Sequence, residues 1–346
     1  FSIFTRAADG TTRAKVLESR LNPPFSRSHG FDGHMLAGLP RFRSSTLRGE
    51  YPFAWVELKD PALPVEARLE AFTPFVPCDA AASGYPAAVL RYKIRNRTNS
   101  KISATVAGSL ANEVCRHRHF EGIQEYRDDG SLRGLRYACG GKEAEHLRCG
   151  SMALVTADAS VTWKRQWMGV GMGGGLDGAQ EFWEDFSADG KLIAEPDYIA
   201  DKPKGGAFVL VGSLGIRHDL APGEEKDFEF ILSWHFPNRT KGWADPPPPA
   251  PGSASGCGCG SESCRPEDTV VKTFYSTQFP DAWGAASSLA ANLPALEKAS
   301  RDFHRALFQS SLPAHVVDAL AANITVIRST TCFRTADGNF FGWEGC

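Results

Sequence analysis

Alternation of apolar and polar residues dominates the first two-thirds of the chain. Val65, Ala67, Leu69 and Ala71 alternate with Glu66, Arg68 and Glu70. A period of two gives a strand one apolar and one charged face, as half-burial requires. Leu90, Tyr92 and Ile94 alternate with Arg91, Lys93 and Arg95. The polar stretch 96–100 then turns the chain, and Ile102, Ala104 and Val106 resume the pattern. This predicts a hairpin with a longer loop. Phe228, Phe230, Leu232 and Trp234 alternate with Asp227, Glu229, Ser233 and His235, but Ile231 is apolar on the second face. Such a strand is expected between two layers. The stretch 207–216 is more continuously apolar and predicts a central strand, with Pro222–Gly223 turning the chain after it. Residues 1–242 therefore read as strands and turns, which suggests an antiparallel β-sandwich.

From about residue 281 the period lengthens. Leu289, Leu293, Leu296, Phe303 and Leu307 fall near helical spacing, and Pro294 inside that run predicts two helices or one sharply kinked helix. A further helix is expected over 313–328, with Pro313 in its first turn and an apolar stripe of Val316, Val317, Leu320, Ile324 and Ile327. Thr331–Arg334 and Asn339–Trp343, joined through Asp337–Gly338, predict a hairpin, because Asp-Gly suits tight hairpin turns. Glu344 stands just past its second strand. The expected organisation is a sandwich over 1–243, a Pro/Gly/Ser-rich loop over 244–266, a helical linker over 267–310, and the start of an α-helical domain over 311–346.

Composition narrows the function classes. At 346 residues the chain has room for about two domains. A formal net charge of −2 argues against nucleic acid as a partner, since a polyanion binder carries a basic footprint. No apolar run reaches the ~18 residues that would suggest a transmembrane segment. Nine cysteines, an odd number in a long chain, read as free thiols in a reducing compartment, which favours a soluble, cytoplasmic setting. The chain opens inside a strand-like run, Phe1–Phe4, and stops two residues past Glu344. Both ends are therefore expected to be cuts from a longer protein.

Four local patterns carry candidate chemistry. His117 and His119 alternate with Arg116 and Arg118, so on a strand the two imidazoles share a face. The flanking guanidinium groups oppose a metal cation there, and a polar strand face is preferred. Cys257, Cys259 and Cys264 have too short a first spacing for structural zinc and no nearby histidine, so reduced thiols are expected. Trp163, Trp167, Phe182 and Trp183 flank the glycine-rich run 169–175, as a loop over a sugar site or as a surface loop pinned by core aromatics. Asn96, Asn238 and Asn323 open Asn-x-Ser/Thr sequences, but without a secretion signal no glycan is expected. No cofactor motif is found.

Tyr51–Pro52–Phe53, Leu63–Glu66, Leu69–Phe75, Phe182–Phe186 with Asp189–Leu192, Phe236–Arg239, Leu312–Pro313 and Asp337–Cys346 together resemble family-116 glycoside hydrolases. That family includes bacterial β-glucosidases and non-lysosomal glucosylceramidases. The resemblance implies a mainly β chain: an antiparallel β-sandwich, a helical linker and the first elements of an (α/α)6 toroid. It also implies hydrolysis of β-glucosides with retention, without a cofactor. Glu344 is the implied nucleophile, and Trp343 beside it could stack on a sugar face. The implied acid/base Asp has no counterpart in this chain, so the chain alone is expected to be inactive without the missing toroid. The rival reading is a non-catalytic sandwich that binds carbohydrate or serves as a scaffold. A phosphorylase is a third option.

Overall fold

The computed structural model describes residues 1–20, 38–114, 122–140, 146–168, 179–194, 210–240 and 270–342. The protein is mainly β. In chain order its first strands are β1 (Ser2–Arg6), β2 (Thr12–Ser19), β3 (Arg41–Phe42), β4 (Ser44–Glu50), β5 (Phe53–Lys59), β6 (Val65–Phe72) and β7 (Ala87–Asn96). There follow β8 (Ile102–Ala111), β9 (Ile123–Asp128), β10 (Arg133–Ala138), β11 (Ser151–Thr156), β12 (Val161–Met168), β13 (Leu210–Leu220) and β14 (Glu225–His235). They form one sheet in the order β12-β13-β8-β1-β2-β3 and another in the order β4-β5-β6-β7-β14-β11-β10-β9. Neighbours are antiparallel except β2 and β3.

The two sheets share one core. Ile3, Ile102, Val106, Leu214 and Ile216 from the first meet Val65, Tyr92, Ile94, Leu135, Phe228 and Phe230 from the second. The predicted alternation in β6 holds at Val65 and Ala67, which are buried, while Glu66 is exposed. Leu210–Ile216 is buried throughout within β13, which lies between β12 and β8, as a near-continuously apolar strand should be. Residues 207–209 of that predicted strand lie outside the described residues.

The hairpin expected from β7 and β8 does not form. β7 pairs with β6 and β14, whereas β8 pairs with β1 and β13. The chain crosses from one sheet to the other, and each strand turns its apolar face to the shared core from opposite sides. Alternation cannot separate this crossing from a hairpin, because both bury the same residues. Asn96 organises the crossing. Its Nδ2 donates to the carbonyls of Ser100 (2.8 Å), Leu220 (3.1 Å) and Ala221 (3.0 Å). Its Oδ1 accepts from the Thr98 backbone N–H and from Oγ1. At 1% exposure, this amide serves the turn rather than a glycan. Gly223, at φ +73°, turns the second crossing from β13 to β14, a conformation glycine adopts without strain.

A helix covers part of each outer face. α1 (Ala80–Ser83) is a single turn; α2 (Ala179–Asp189) lies on the first sheet. The expectation of strands throughout 1–242 misses α2. Phe182 and Phe186, one turn apart, pack with Phe4, Trp167 and Val211. Trp167 stacks on Phe182 at 5.4 Å, and its indole N–H donates to Ser213 Oγ at 2.9 Å. These aromatics are therefore core, and the 169–175 run between them lies outside the described residues. Gly190 ends the helix at φ +76°, and its N–H donates to Phe186 O.

α3 (Ala282–Phe308) covers the second sheet as one continuous helix of 27 residues. The two-helix alternative fails because Leu289 and Leu296, on either side of Pro294, both bury against the sheet with Trp283 and Ala286. Pro294 itself is exposed. Its missing donor and ring clash cost about 3 kcal/mol or more, which apolar packing along the same face offsets. Asp281 caps the helix by accepting from Gly284 N–H.

α4 (Ala314–Ile324) and a 3-10 turn over Thr325–Arg328 follow, matching the predicted helix. Val317 is buried, but Leu320 and Ile327 remain exposed, so the predicted stripe is only partly covered. Cysteine chemistry also departs from expectation. Cys139 is disulfide-bonded, while Cys78, Cys149 and Cys332 are free thiols. Linear spacing gave no sign of this pairing, because disulfides follow the fold rather than the sequence interval.

Candidate functional site

Trp343 and Glu344 lie outside the described residues, as do His117, His119, Cys257, Cys259 and Cys264. The structure does describe the hairpin that leads to Trp343. β15 (Asn238–Thr240) pairs with β16 (Val270–Lys272), and β17 (Cys332–Arg334) pairs with β18 (Phe340–Gly342). The register sets Phe333 opposite Phe341, and their rings stack at 5.3 Å. The turn matches the Asp-Gly expectation. Gly338 sits at φ +92°, and Thr335 N–H donates to Asn339 O at 2.9 Å.

Asp337 is a turn residue. Its carboxylate accepts from Thr335 Oγ1, from Asn339 N–H and from Asn339 Nδ2. The Thr335 hydroxyl bond, with the Asn339 bonds, holds its pKa below the usual carboxylate range. An acid held ionised in this way is a poor proton donor near neutrality.

The hairpin rests on the strip that follows β14. Ala336 N–H donates to Lys272 O at 2.9 Å, and Thr335 forms an isolated bridge with Thr273. Lys272 Nζ donates to Asn238 Oδ1 at 2.5 Å, and Asn238 Nδ2 donates to His146 O at 3.0 Å. This second sequon is thus also buried in structural bonds. The guanidinium carbon of Arg239 lies 4.0 Å from the Phe333 ring centroid. That of Arg334 lies 3.7 Å from the Phe274 centroid.

A second anchor, Arg328, lies four residues before β17. Arg328 donates to the carbonyls of Pro74 (2.8 Å), Ser83 (2.5 Å) and Tyr85 (3.0 Å). Burial lowers its pKa and raises that of the nearby Tyr51. Three carbonyl acceptors pair with a half-buried guanidinium whose donors would otherwise be costly to desolvate. Sequence reasoning missed Arg328, and named Arg334 only as part of the predicted hairpin and Arg239 only within a matching stretch. A lone arginine carries no local signal of a distant ring or carbonyl.

Elsewhere, a groove of about 440 Å³ opens on the outer face of the second sheet, lined by Thr46, Arg48, Trp55, Glu57, Arg68 and Glu70. Its indole is not a bare platform: the Arg48 guanidinium lies 4.1 Å over the ring, and Phe53 stacks at 5.6 Å. Trp163 stacks flat on Tyr126 at 4.4 Å, bridging edge strands β12 and β9. Among the described residues no group of three or more His, Cys, Asp or Glu side chains could hold a metal.

No curated protein matches the chain. Among solved structures, the family 36 α-galactosidase AgaA of Geobacillus stearothermophilus, as a variant in complex with stachyose, is 11% identical with a TM-score of 0.25. That likeness covers 68% of this chain and 30% of that one. AgaB of the same organism is 8% identical with a TM-score of 0.24, over 68% and 30% of the two chains. The chain thus spans under a third of the length of these structures, and such scores carry no weight for its fold. The conclusive likeness is in sequence: residues 1–296 match beta-glucosidase 2, glycosyl-hydrolase family 116 N-terminal domain, and the chain belongs to that family.

Proposed function

We propose that the protein is the N-terminal part of a retaining β-glucosidase-like glycoside hydrolase acting on β-glucosides or glucosylceramide-like substrates. The observation that carries this reading is the family match over 1–296. Downstream of it, the hairpin expected from the sequence forms and ends at Gly342, next in sequence to Trp343–Glu344. On this reading Glu344 attacks the anomeric carbon, an acid/base Asp outside these 346 residues protonates the leaving oxygen, and Trp343 stacks on the sugar. Retention needs two carboxyl groups about 5–5.5 Å apart and two successive displacements. The helices after α3 belong, on the same reading, to the start of an (α/α)6 toroid. The exposed Leu320, Val326, Ile327, Phe340 and Phe341 would face its remaining helices. The chain alone would be inactive for want of the acid.

The test is Glu344→Gln in the complete enzyme. The substitution keeps the shape of the side chain and removes its charge, so kcat should collapse while KM changes little. In Glu344→Ala, azide should restore cleavage of an activated aryl glucoside and yield the α-glycosyl azide by a single displacement. The wild type should give the β product. An active Glu344→Gln enzyme would end the nucleophile assignment. An inverted wild-type product would end the retaining mechanism.

A further inference from the structure

The hairpin and the strip beneath it hold each other reciprocally. Arg239 of β15 lies on Phe333 of β17, and Arg334 of β17 lies on Phe274, just past β16. Each partner contributes one cation and one ring, on a joint already stitched by the Thr273–Thr335 bridge and the Ala336–Lys272 hydrogen bond. A guanidinium stacked on a ring resists both sliding and tilting, because its planar face must follow the plane of the ring.

Arg239 stands out by what it lacks. Its Nη2 donates to Thr330 O at a long 3.4 Å, and among the described residues no carboxylate pairs with it. Arg91, by contrast, meets four carboxylates. The principal partner of Arg239 is therefore an aromatic ring. From that ring the contact continues through the Phe333–Phe341 stack into β18, which ends at Gly342, two residues before Glu344 in the sequence.

We propose that Arg239 is a positioning residue for Glu344: by clamping Phe333 it sets the height and tilt of the hairpin that ends two residues before that glutamate. This rests on the reading of Glu344 as the nucleophile. Attack requires a near-attack separation of about 3–3.5 Å, and a misplacement of about 1 Å can cost about 10²-fold. Arg239 acts through Phe333 and touches neither substrate nor reacting atoms. Its loss should therefore lower kcat and spare KM.

The experiment uses the complete enzyme, with functional sites counted by trapping the glycosyl-enzyme with a 2-deoxy-2-fluoroglucoside. Arg239→Met and Phe333→Leu should each lower kcat per trapped site by about tenfold, with KM little changed. The double variant should be no worse than either single, because both remove one contact. Arg239→Lys keeps a cation over the ring and should recover much of the loss. If the role is only structural, the number of trapped sites and the thermal midpoint fall while kcat per site holds, and that result overturns the proposal. Should Arg239→Met fail to fold, Phe333→Leu and Arg239→Lys decide the matter. Glu344→Gln run in parallel separates the two claims. An inactive Glu344→Gln beside unaffected Arg239 and Phe333 variants sinks positioning alone. An active Glu344→Gln sinks both.

Discussion

Replacing Arg91 with Met should loosen α3 from the sandwich by about 3 kcal/mol at neutral pH, the lower end of the cost of breaking a buried ion pair. Sheet register brings Glu70, Arg91 and Glu229 side by side on β6, β7 and β14. α3 then lowers Glu297 and Arg301 onto them. Arg91 donates to Glu70 at 3.1 Å, to both oxygens of Glu297 at 3.0 and 2.9 Å, and to Glu229 at 2.8 Å. Its side chain is 12% exposed, against 9% for Glu70 and 18% for Glu297. Removing it leaves Glu70 and Glu297 to Arg301, leaves Asp227 to Lys93, and takes from Glu229 its ion pair among the described residues. Glu229 is 31% exposed, so water screens part of the repulsion, which holds the estimate at the low end.

The pH dependence gives the sharper signature. Burial pushes Glu70 and Glu297 up, but hydrogen bonds from Trp55 and Arg301 to Glu70, and from Arg91 and Arg301 to Glu297, outweigh it. Both carboxyls therefore titrate below their ordinary range. A carboxylate with a depressed folded pKa contributes stability above its unfolded value, about 4.3 for Glu. That contribution is lost as pH falls through the folded value. Without Arg91 the depression lessens, so the gap between wild type and variant should be full at neutral pH and shrink in acid. Urea unfolding near pH ~7 and near pH ~4 measures it. Arg91→Met combined with Glu70→Gln and Glu297→Gln should recover much of the loss, because fewer unpaired charges remain under the helix. A cost below ~1 kcal/mol at neutral pH, or one that does not vary with pH, would refute the reasoning.

Two further outcomes follow from buried polar groups. Asn96→Asp turns acceptor oxygens toward three carbonyls and should cost about 3 kcal/mol or more; chemical denaturation within ~1 kcal/mol of wild type would show that Asn96 does not hold the crossings. Burial holds the His235 pKa below its ordinary value, and its Nε2 has no partner among the described residues. The unfolded chain therefore takes the proton first, and stability should fall as pH drops from ~6.5 until the folded imidazole protonates. His235→Gln should flatten that slope, and an equal slope in both proteins would assign it to other groups.

Period-two alternation was enough to place β6, β7 and β14, because a strand with one face on a core repeats its burial every second residue, and a near-continuous apolar run placed β13. It was blind to what lies across from each strand. The charged faces of β6 and β7 read as solvated, yet Glu70 is buried. Only the registers Glu70↔Arg91↔Glu229, which join three distant segments, put complementary charges in one row. The same blindness turned a sheet crossing into a predicted hairpin. Pro294 marked a helix break by local chemistry, and tertiary packing of Leu289 and Leu296 overrode it.

The candidate site divides along the same line. Asp337–Gly338 announced its turn because the required backbone is local: the glycine takes φ +92° and the aspartate ties its own loop. The support of that turn is not local. Arg239 and Phe333 meet only because β15 follows β14 out of the sandwich and the hairpin returns to the same strip after two helices. On the reading of Glu344 as the nucleophile, that carboxylate needs holding to a fraction of an ångström, and two strands of three residues with exposed Phe340 and Phe341 bury too little of their own surface to do so. On that reading the rigidity would be borrowed from the β-sandwich through the contacts of Arg239, Arg334 and Arg328. On the proposed reading, the N-terminal domain would thereby have a physical part in catalysis through the support it gives the hairpin.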